Sequence, residues 1–130
     1  MAIAMLITSL LLLHQHVTAQ EQTKWVTPPE EAAVKNPEEH NTALLPEAHK
    51  LYVSLCSQCH GYKGKGDGPV AGVLKIRPAD HSSQAIQSET DGSLYWKLST
   101  GKGQMQPYKA NLTDVQRWAL VNYIRTLKGN

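Results

Sequence analysis

Two cysteines and a histidine lie within five consecutive residues, Cys56-Ser57-Gln58-Cys59-His60. Thiols three positions apart can each form a thioether with one vinyl group of a haem. The histidine beside the second thiol is then held against the iron as its proximal ligand. The spacing therefore predicts one haem c attached to Cys56 and Cys59, with His60 bound to its iron.

Two other kinds of site also use a Cys-x-x-Cys pair. A redox disulfide is typical of a thioredoxin-like βαβ setting, and no strand pattern surrounds the pair here. A tetrahedral zinc site needs four ligands, and the chain contains only 2 cysteines. Neither alternative requires His60, so haem attachment is the favoured prediction.

The face of the iron opposite the histidine needs a sixth ligand if both axial positions are filled. Met105 lies in a loop rich in glycine and proline, at 101–108. The other methionines are Met1 and Met5, within the N-terminal segment that we expect to be removed. We predict Met105 as the distal ligand; His81 is the rival ligand, and an open sixth position is the remaining alternative.

The segment before the motif must deliver the two thiols. Pro46 favours the start of a helix, and the apolar residues after it fall at i, i+3, i+4 and i+7: Ala48, Leu51, Tyr52 and Leu55. Cys56 and Cys59 continue this stripe, which predicts one helix that carries both thiols on its buried face. His49 lies off the stripe and is predicted at the surface.

Two further helices are predicted downstream. One begins at Thr90 or Asp91 and ends at Gly101. The last one begins with the capping-box pattern of Thr113 and Gln116, and its apolar stripe is Leu120, Tyr123, Ile124 and Leu127. We expect this last helix to pack against the helix before the motif and to hold the haem between them.

A glycine-rich loop follows the motif. Four glycines within 61–68 break regular structure and let the backbone approach a neighbour closely, for which the haem edge is the expected partner. Beyond the loop, a backbone carbonyl at Pro69 or Pro78 is expected to accept the Nδ1 proton of His60. That bond would leave Nε2 for the iron.

The N-terminal residues 1–19 are predicted to be a secretory signal peptide. An apolar run over 2–13 leads to a small-residue cleavage site at 17–19. The run is shorter than the roughly 20 residues that span a bilayer. No Lys or Arg precedes Lys24, so retention as a membrane anchor is an alternative. Cleavage predicts a periplasmic protein, in a compartment that suits covalent haem attachment.

The rest of the chain is divided into an arm and a domain. Residues 20–45 contain prolines and acidic residues but few apolar ones, which predicts an extended arm. The arm is either a disordered leader or is tied to the domain by Trp25 and the turn at 35–37. Residues 46–130 form the expected single domain.

The charge of the chain indicates protein partners rather than nucleic acid. The 13 basic and 11 acidic residues leave a net charge of +2. Within 61–109, the region expected around the haem edge, basic residues outnumber acidic ones. We expect this rim to steer acidic redox partners in a salt-dependent way.

Over residues 46–128 the chain resembles class I monohaem c-type cytochromes. The attachment motif, the glycine-rich loop up to Pro69, the Met105 loop and the segment from Asp114 to Leu127 carry this resemblance.

Several short stretches also resemble one subgroup of short exported bacterial cytochromes: 66–69, 78–80, 90–92 and, upstream, 35–37. The chain departs from that subgroup at two places. Gln106 stands between Met105 and Pro107, where the subgroup has methionine followed directly by proline. His81 stands where the subgroup tends to have an aromatic residue.

The resemblance implies an all-α, cytochrome c-like fold. Three to five helices would surround one covalently attached haem, with the N- and C-terminal helices packed together. It also implies a monomeric electron carrier rather than an enzyme, with His/Met ligation that raises the reduction potential. Electrons would come from a quinol-oxidising complex or a dehydrogenase and pass to a terminal oxidase or reductase.

Two alternatives to a free-standing carrier are kept. One is a haem c protein with an open or exchangeable sixth position, either peroxidase-like or gas-sensing. The other is an electron-transfer subunit of a larger oxidoreductase complex. Neither nucleic acid nor, after signal cleavage, a stable membrane span is expected.

Overall fold

Helices alone form the regular structure in the computed structural model, which describes residues 24–129. Within that range the α-helices are α1 (Pro29–Ala32), α2 (Leu45–Leu55), α3 (Ser57–His60), α4 (Gln84–Gln87), α5 (Asp91–Thr100) and α6 (Asp114–Thr126). Two 3-10 turns lie at Thr42–Leu44 and Ala71–Val73. The prediction of an all-α fold is confirmed for these residues: α2, α5 and α6 are the long helices, and α1, α3 and α4 are single turns.

Helices α2 and α6 pack against each other, as predicted for the first and last helices of the domain. Tyr52 of α2 and Leu120 and Val121 of α6 are completely buried. The start of α6 is fixed by the predicted capping box: the Thr113 hydroxyl accepts from the Gln116 N–H, and the Gln116 side chain accepts from the Thr113 N–H. Capping satisfies two amide groups that the first turn leaves unpaired.

Helix α5 has the predicted bounds. The Thr90 hydroxyl accepts from the Ser93 N–H at 3.1 Å, which caps the helix start. Gly101 ends the helix with φ +62°, a left-handed conformation that favours glycine. Leu94 and Leu98 bury the inner face of α5 against α6 and the rest of the core.

One continuous helix was predicted to carry both Cys56 and Cys59, and the structure has two separate helical segments instead. Helix α2 ends at Leu55, and Cys56 (φ −113°, ψ −36°) joins it to the separate turn α3. The buried Ser57 hydroxyl donates to the Val53 carbonyl at 2.6 Å. A serine that bonds back to the preceding turn bends a helix. Cys56 therefore lies at the bend, and Cys59 lies in the turn after it.

The described part of the N-terminal arm is attached to the domain and contains two helical turns. Helix α1 packs against α5. Asn36 Nδ2 donates to Asp91 Oδ2 and to Asn122 Oδ1, both at 2.8 Å. The Trp25 ring lies 6.2 Å from that of Trp96. The arm is thus tied down by Trp25 and Asn36, and it is less extended than predicted.

Helix α5 also has a glycine where the arm crosses it. A Cβ atom at Gly92 would lie 2.4 Å from the Glu31 carbonyl oxygen and 2.7 Å from that of Val34. The backbones therefore approach closely at this point.

The predicted signal peptide, 1–19, lies outside the described residues. Within 24–129, no helix has the length and apolar character needed to cross a membrane.

Candidate haem site

The two cysteines are free thiols on neighbouring turns. Cys56 is only 6% exposed, whereas Cys59 is half-buried. Burial raises the pKa of the Cys56 thiol to about 12. The described residues contain no group of three or more His, Cys, Asp or Glu side chains that is arranged to hold a metal ion. Two thiols three positions apart are the pair that thioether formation with a haem requires.

His60 ends α3 and has one ring nitrogen engaged. Its Nδ1 donates to the Ala79 carbonyl oxygen at 2.9 Å, because a carbonyl can only accept. The prediction that the carbonyl of Pro69 or Pro78 accepts this proton is wrong. Burial lowers the pKa of His60, and the bond to Ala79 acts in the opposite direction. A neutral imidazole that carries its proton on Nδ1 has a free lone pair on Nε2, and this is the form that binds iron.

The glycine-rich loop holds α3 from its C-terminal side. The Gly66 N–H donates to the His60 carbonyl at 2.8 Å, and the Gly68 N–H donates to the Cys59 carbonyl at 3.1 Å. Val70 donates likewise to Gln58 at 3.0 Å. The last carbonyls of a helix have no partner within it, so these bonds complete the turn.

The positions of the glycines follow from that packing. A Cβ atom at Gly68 would lie 2.3 Å from the Gln58 carbonyl oxygen and 2.5 Å from that of Ser57. The Gly68 backbone thus approaches the backbone of the attachment motif closely, and a side chain at this position would collide with it. The loop positions the motif and, through it, His60.

The Met105 loop is closed by hydrogen bonds at its base. The Lys102 N–H donates to the Met105 carbonyl at 2.9 Å, and the Met105 N–H donates to the Lys102 carbonyl at 3.0 Å. Tyr108 then fixes the loop to two helices: its N–H donates to Leu98 at 3.0 Å and its hydroxyl donates to Leu55 at 3.1 Å. Because Leu55 precedes Cys56, this bond places the loop beside the attachment motif.

The Met105 side chain is half-buried and packs against the buried cluster that includes Cys56. The adjacent Gln104 side chain accepts from the Lys75 N–H at 2.9 Å, which joins this loop to the segment 70–76. Gln106, the departure from the subgroup pattern, is exposed. The structure thus brings Met105 to the same region as the thiols.

Apolar side chains remain uncovered next to this loop. Val73 is 83% exposed and Ile76 is 59% exposed. They lie in the segment that is bonded to the Met105 loop and that follows the motif and its glycine-rich loop. A flat, apolar macrocycle held by two thioethers is a group that would cover such a surface. The donor set and the exposed apolar residues both fit a haem.

His81, the rival ligand, lies against the face of His60. Their ring centroids are 4.0 Å apart and the ring planes differ by 18°. His81 is buried, and its Nδ1 is hydrogen-bonded to the Tyr52 hydroxyl at 3.0 Å. A sixth ligand must stand beyond Nε2 of His60, on the far side of the iron. In this arrangement His81 stacks on the ring face of His60 and does not lie beyond its Nε2.

The basic rim predicted around the site is largely exposed. Lys97 is paired with Glu89 at 2.6 Å, so the two charges offset each other. The remaining basic residues between 61 and 109 are exposed: Lys63, Lys65, Lys75, Arg77, Lys102 and Lys109.

Three contributors to the site were not found from the sequence. The Ala79 carbonyl could not be identified from the sequence, because every residue has a backbone carbonyl. Ser57 lies inside the motif, and no role was predicted for its hydroxyl. Tyr108 follows a proline in the ligand loop, and a tyrosine beside a turn often anchors its hydroxyl, so this residue could have been proposed.

Known proteins confirm the predicted cytochrome c-like fold. The family model described as cytochrome c matches residues 46–128. A chain of the Kuenenia stuttgartiensis reducing HAO-like protein complex Kustc0457/Kustc0458 is similar, with a TM-score of 0.60 and 25% identity over 73% of this chain. The match covers 46% of that chain, so this chain spans about half of its length.

A second solved structure is similar over most of its own length. The KustC0563 c-type cytochrome matches with a TM-score of 0.55 and 28% identity, over 62% of this chain and 96% of that one. No curated protein sequence matches the chain.

Proposed function

The chain belongs to the cytochrome c family, and on that premise we propose that it is a periplasmic single-electron carrier with His60 and Met105 as axial ligands. Haem c, the covalent cofactor of this family, supplies an iron that takes up and releases one electron. We assign the two thioethers to Cys56 and Cys59.

One observation carries this proposal: the ring of His60, the residue after Cys59, is bonded through Nδ1 to a backbone carbonyl, which leaves Nε2 for the iron. Its Nδ1 is occupied by the Ala79 carbonyl at 2.9 Å, which fixes the tautomer and the ring orientation. The glycine-rich loop holds the turn that carries His60 and Cys59. The backbone therefore orients the ring that would bind the iron.

The Met105 loop supports ligation on the other side. Tyr108 bonds the loop to the end of α2, and Lys102 and Met105 close its base. A thioether held in this way favours the ferrous state and raises the potential. If His60 and Met105 both bind the iron, the iron would have no open position for a substrate, which supports electron transfer rather than catalysis at the iron.

The proposed partners are proteins with an acidic surface. Exposed lysines and Arg77 surround the expected haem edge, which supports steering of such partners. The donor would be a quinol-oxidising complex or a dehydrogenase, and the acceptor a terminal oxidase or reductase. Rates of electron transfer with an acidic partner should fall as ionic strength rises. Rates that do not change with salt would argue against steering.

The covalent link can be tested on the purified full-length protein. Haem should stay with the polypeptide in acidified acetone, and the intact mass should include one haem. Cys56→Ser should retain one thioether and shift the pyridine haemochrome band toward that of a singly attached haem. Complete extraction of haem from the unaltered protein would overturn the assignment of the thioethers.

A second candidate function has a specific observation in its favour. One similar structure comes from a protein complex, the reducing HAO-like complex Kustc0457/Kustc0458. The chain would then serve as an electron-transfer subunit of a larger oxidoreductase. Gel filtration of the protein from its native cells distinguishes the two, since a free carrier elutes near the mass of one chain and a subunit elutes with its complex.

A further inference from the structure

A continuous row of aromatic rings connects the surface with the proposed proximal ligand. The exposed His49 stacks on Tyr123, with ring centroids 5.3 Å apart. Tyr123 lies 5.0 Å from Tyr52, Tyr52 lies 5.8 Å from His81, and His81 lies 4.0 Å from His60. We call these five residues the aromatic ladder.

The inner part of the ladder is closed to solvent. Tyr52 is 0% exposed and His81 is 8% exposed. The link between them combines an edge-on ring contact with the 3.0 Å hydrogen bond from the Tyr52 oxygen to Nδ1 of His81. Direct contact therefore continues from ring to ring down to the face of His60.

The outer end of the ladder opens onto the surface. His49 and Tyr123 line a shallow cleft of about 390 Å³ between the start of α2 and the end of α6, together with Thr42, Leu45, Pro46 and Thr126. An electron donor or acceptor that reaches this cleft contacts His49, the outermost residue of the aromatic ladder. The cleft lies on the α2–α6 face, and none of its lining residues belongs to the apolar segment 70–76 that the haem is expected to cover.

From this geometry we propose that the aromatic ladder is a second electron-transfer route, which joins the α2–α6 face to the iron through His60. The inference rests on the proposed function, because it needs His60 as an iron ligand. Electron tunnelling weakens with distance and weakens faster across gaps than through packed or hydrogen-bonded atoms. A row of touching rings is therefore a better medium than the gaps between aliphatic side chains.

The transfer is balanced without chemical change in the ladder. One electron leaves a reduced donor in the cleft, and ferric iron becomes ferrous. No bond forms or breaks, and the rings neither gain nor lose a proton. Burial raises the pKa of Tyr52 above its usual value, which is consistent with a phenol that stays protonated throughout.

The experiment uses the exposed histidines as attachment points. A photoactive ruthenium complex is coupled to His49 of the holoprotein in a His40→Gln background, and the rate of its electron transfer to the haem is measured after a laser flash. A matched protein carries the label on His40 in a His49→Gln background. His14 and His16 are replaced by glutamine wherever they persist in the purified protein.

Substitutions in the ladder should act only on the route from His49. We expect Tyr123→Leu to slow transfer from the His49 label several-fold and to leave transfer from the His40 label unchanged. Tyr52→Phe keeps the ring but removes the hydrogen bond to His81, so it should slow transfer by less. Tyr95→Leu removes an aromatic ring outside the ladder and should change neither rate.

Two results would overturn the proposal. One is an unchanged rate from the His49 label in both Tyr123→Leu and Tyr52→Phe. The other is an equal slowing from both labels, which would reflect a general structural change. Reduction potentials of every variant are measured so that rates are compared at equal driving force. Loss of covalent haem from the parent protein would instead refute the proposed function, so the two failures are distinguishable.

Discussion

Replacing Gly68 by alanine tests whether the glycine-rich loop positions the attachment motif. The new methyl group would lie 2.3 Å from the Gln58 carbonyl oxygen and 2.5 Å from that of Ser57. Both neighbours are backbone atoms of α3, so neither can rotate away. Gly68 does not have a positive φ, and the substitution therefore tests steric contact alone.

The expected cost follows from two contributions. Overpacking a tight contact costs about 1–3 kcal/mol. The shift that relieves it weakens the 3.1 Å bond from the Gly68 N–H to the Cys59 carbonyl, and a hydrogen bond contributes about 1 kcal/mol. We expect Gly68→Ala to lower the free energy of unfolding by about 3 kcal/mol. For a domain of this size, that lowers Tm by about 12–24 °C.

The assay is denaturation of the holoprotein followed by far-UV circular dichroism. Gly72→Ala is the matched control, because it lies in the next turn of chain and a Cβ atom there has no neighbour within 4 Å. At such a site alanine changes stability by about 0.4–1 kcal/mol at most. Equal stability of the two variants would refute the role assigned to the loop.

Three further substitutions test other contacts. Asn36→Ala removes the two bonds that the Asn36 amide donates to Asp91 and Asn122, so it should cost about 1–3 kcal/mol and speed amide exchange at 24–44. Unchanged exchange there would contradict the attachment. Thr113→Ala removes the cap of α6 and should lower the denaturation midpoint by an amount equivalent to about 1 kcal/mol, with Thr113→Ser as the conservative control. Tyr108→Phe loses the bond that holds the Met105 loop to α2; it should cost about 1 kcal/mol and make ferric iron bind added imidazole faster. An imidazole rate equal to that of the parent would show that the hydroxyl does not hold the loop.

The long helices could be predicted because their signals are local. The capping box of Thr113 and Gln116 and the stripe after it define α6, and Thr90 and Gly101 define α5. Single turns such as α1 and α4 were not predicted, since four residues are too few to show a helical period. The bend at Cys56 was missed for a related reason: it depends on one serine hydroxyl.

The side chains proposed for the haem site could be picked out from the sequence. The backbone groups that orient them could not. The attachment motif and Met105 carry recognisable chemistry in a recognisable order. The carbonyl that orients His60 belongs to Ala79. Its position beside His60 depends on the path of the chain after the glycine-rich loop, which the sequence does not show. His81 looked like a possible ligand by residue type, and only its stacking on His60 reveals its different position.

Axial ligation by Met105 is the central claim that one spectrum tests most directly. The ferric holoprotein should show the weak near-infrared charge-transfer band of methionine bound to iron, and Met105→Ala should lose that band and lower the reduction potential. His81→Phe should keep the band, because His81 lies against the face of His60. Absence of the band from the unaltered protein, or rapid carbon monoxide binding when it is reduced, would contradict His/Met ligation.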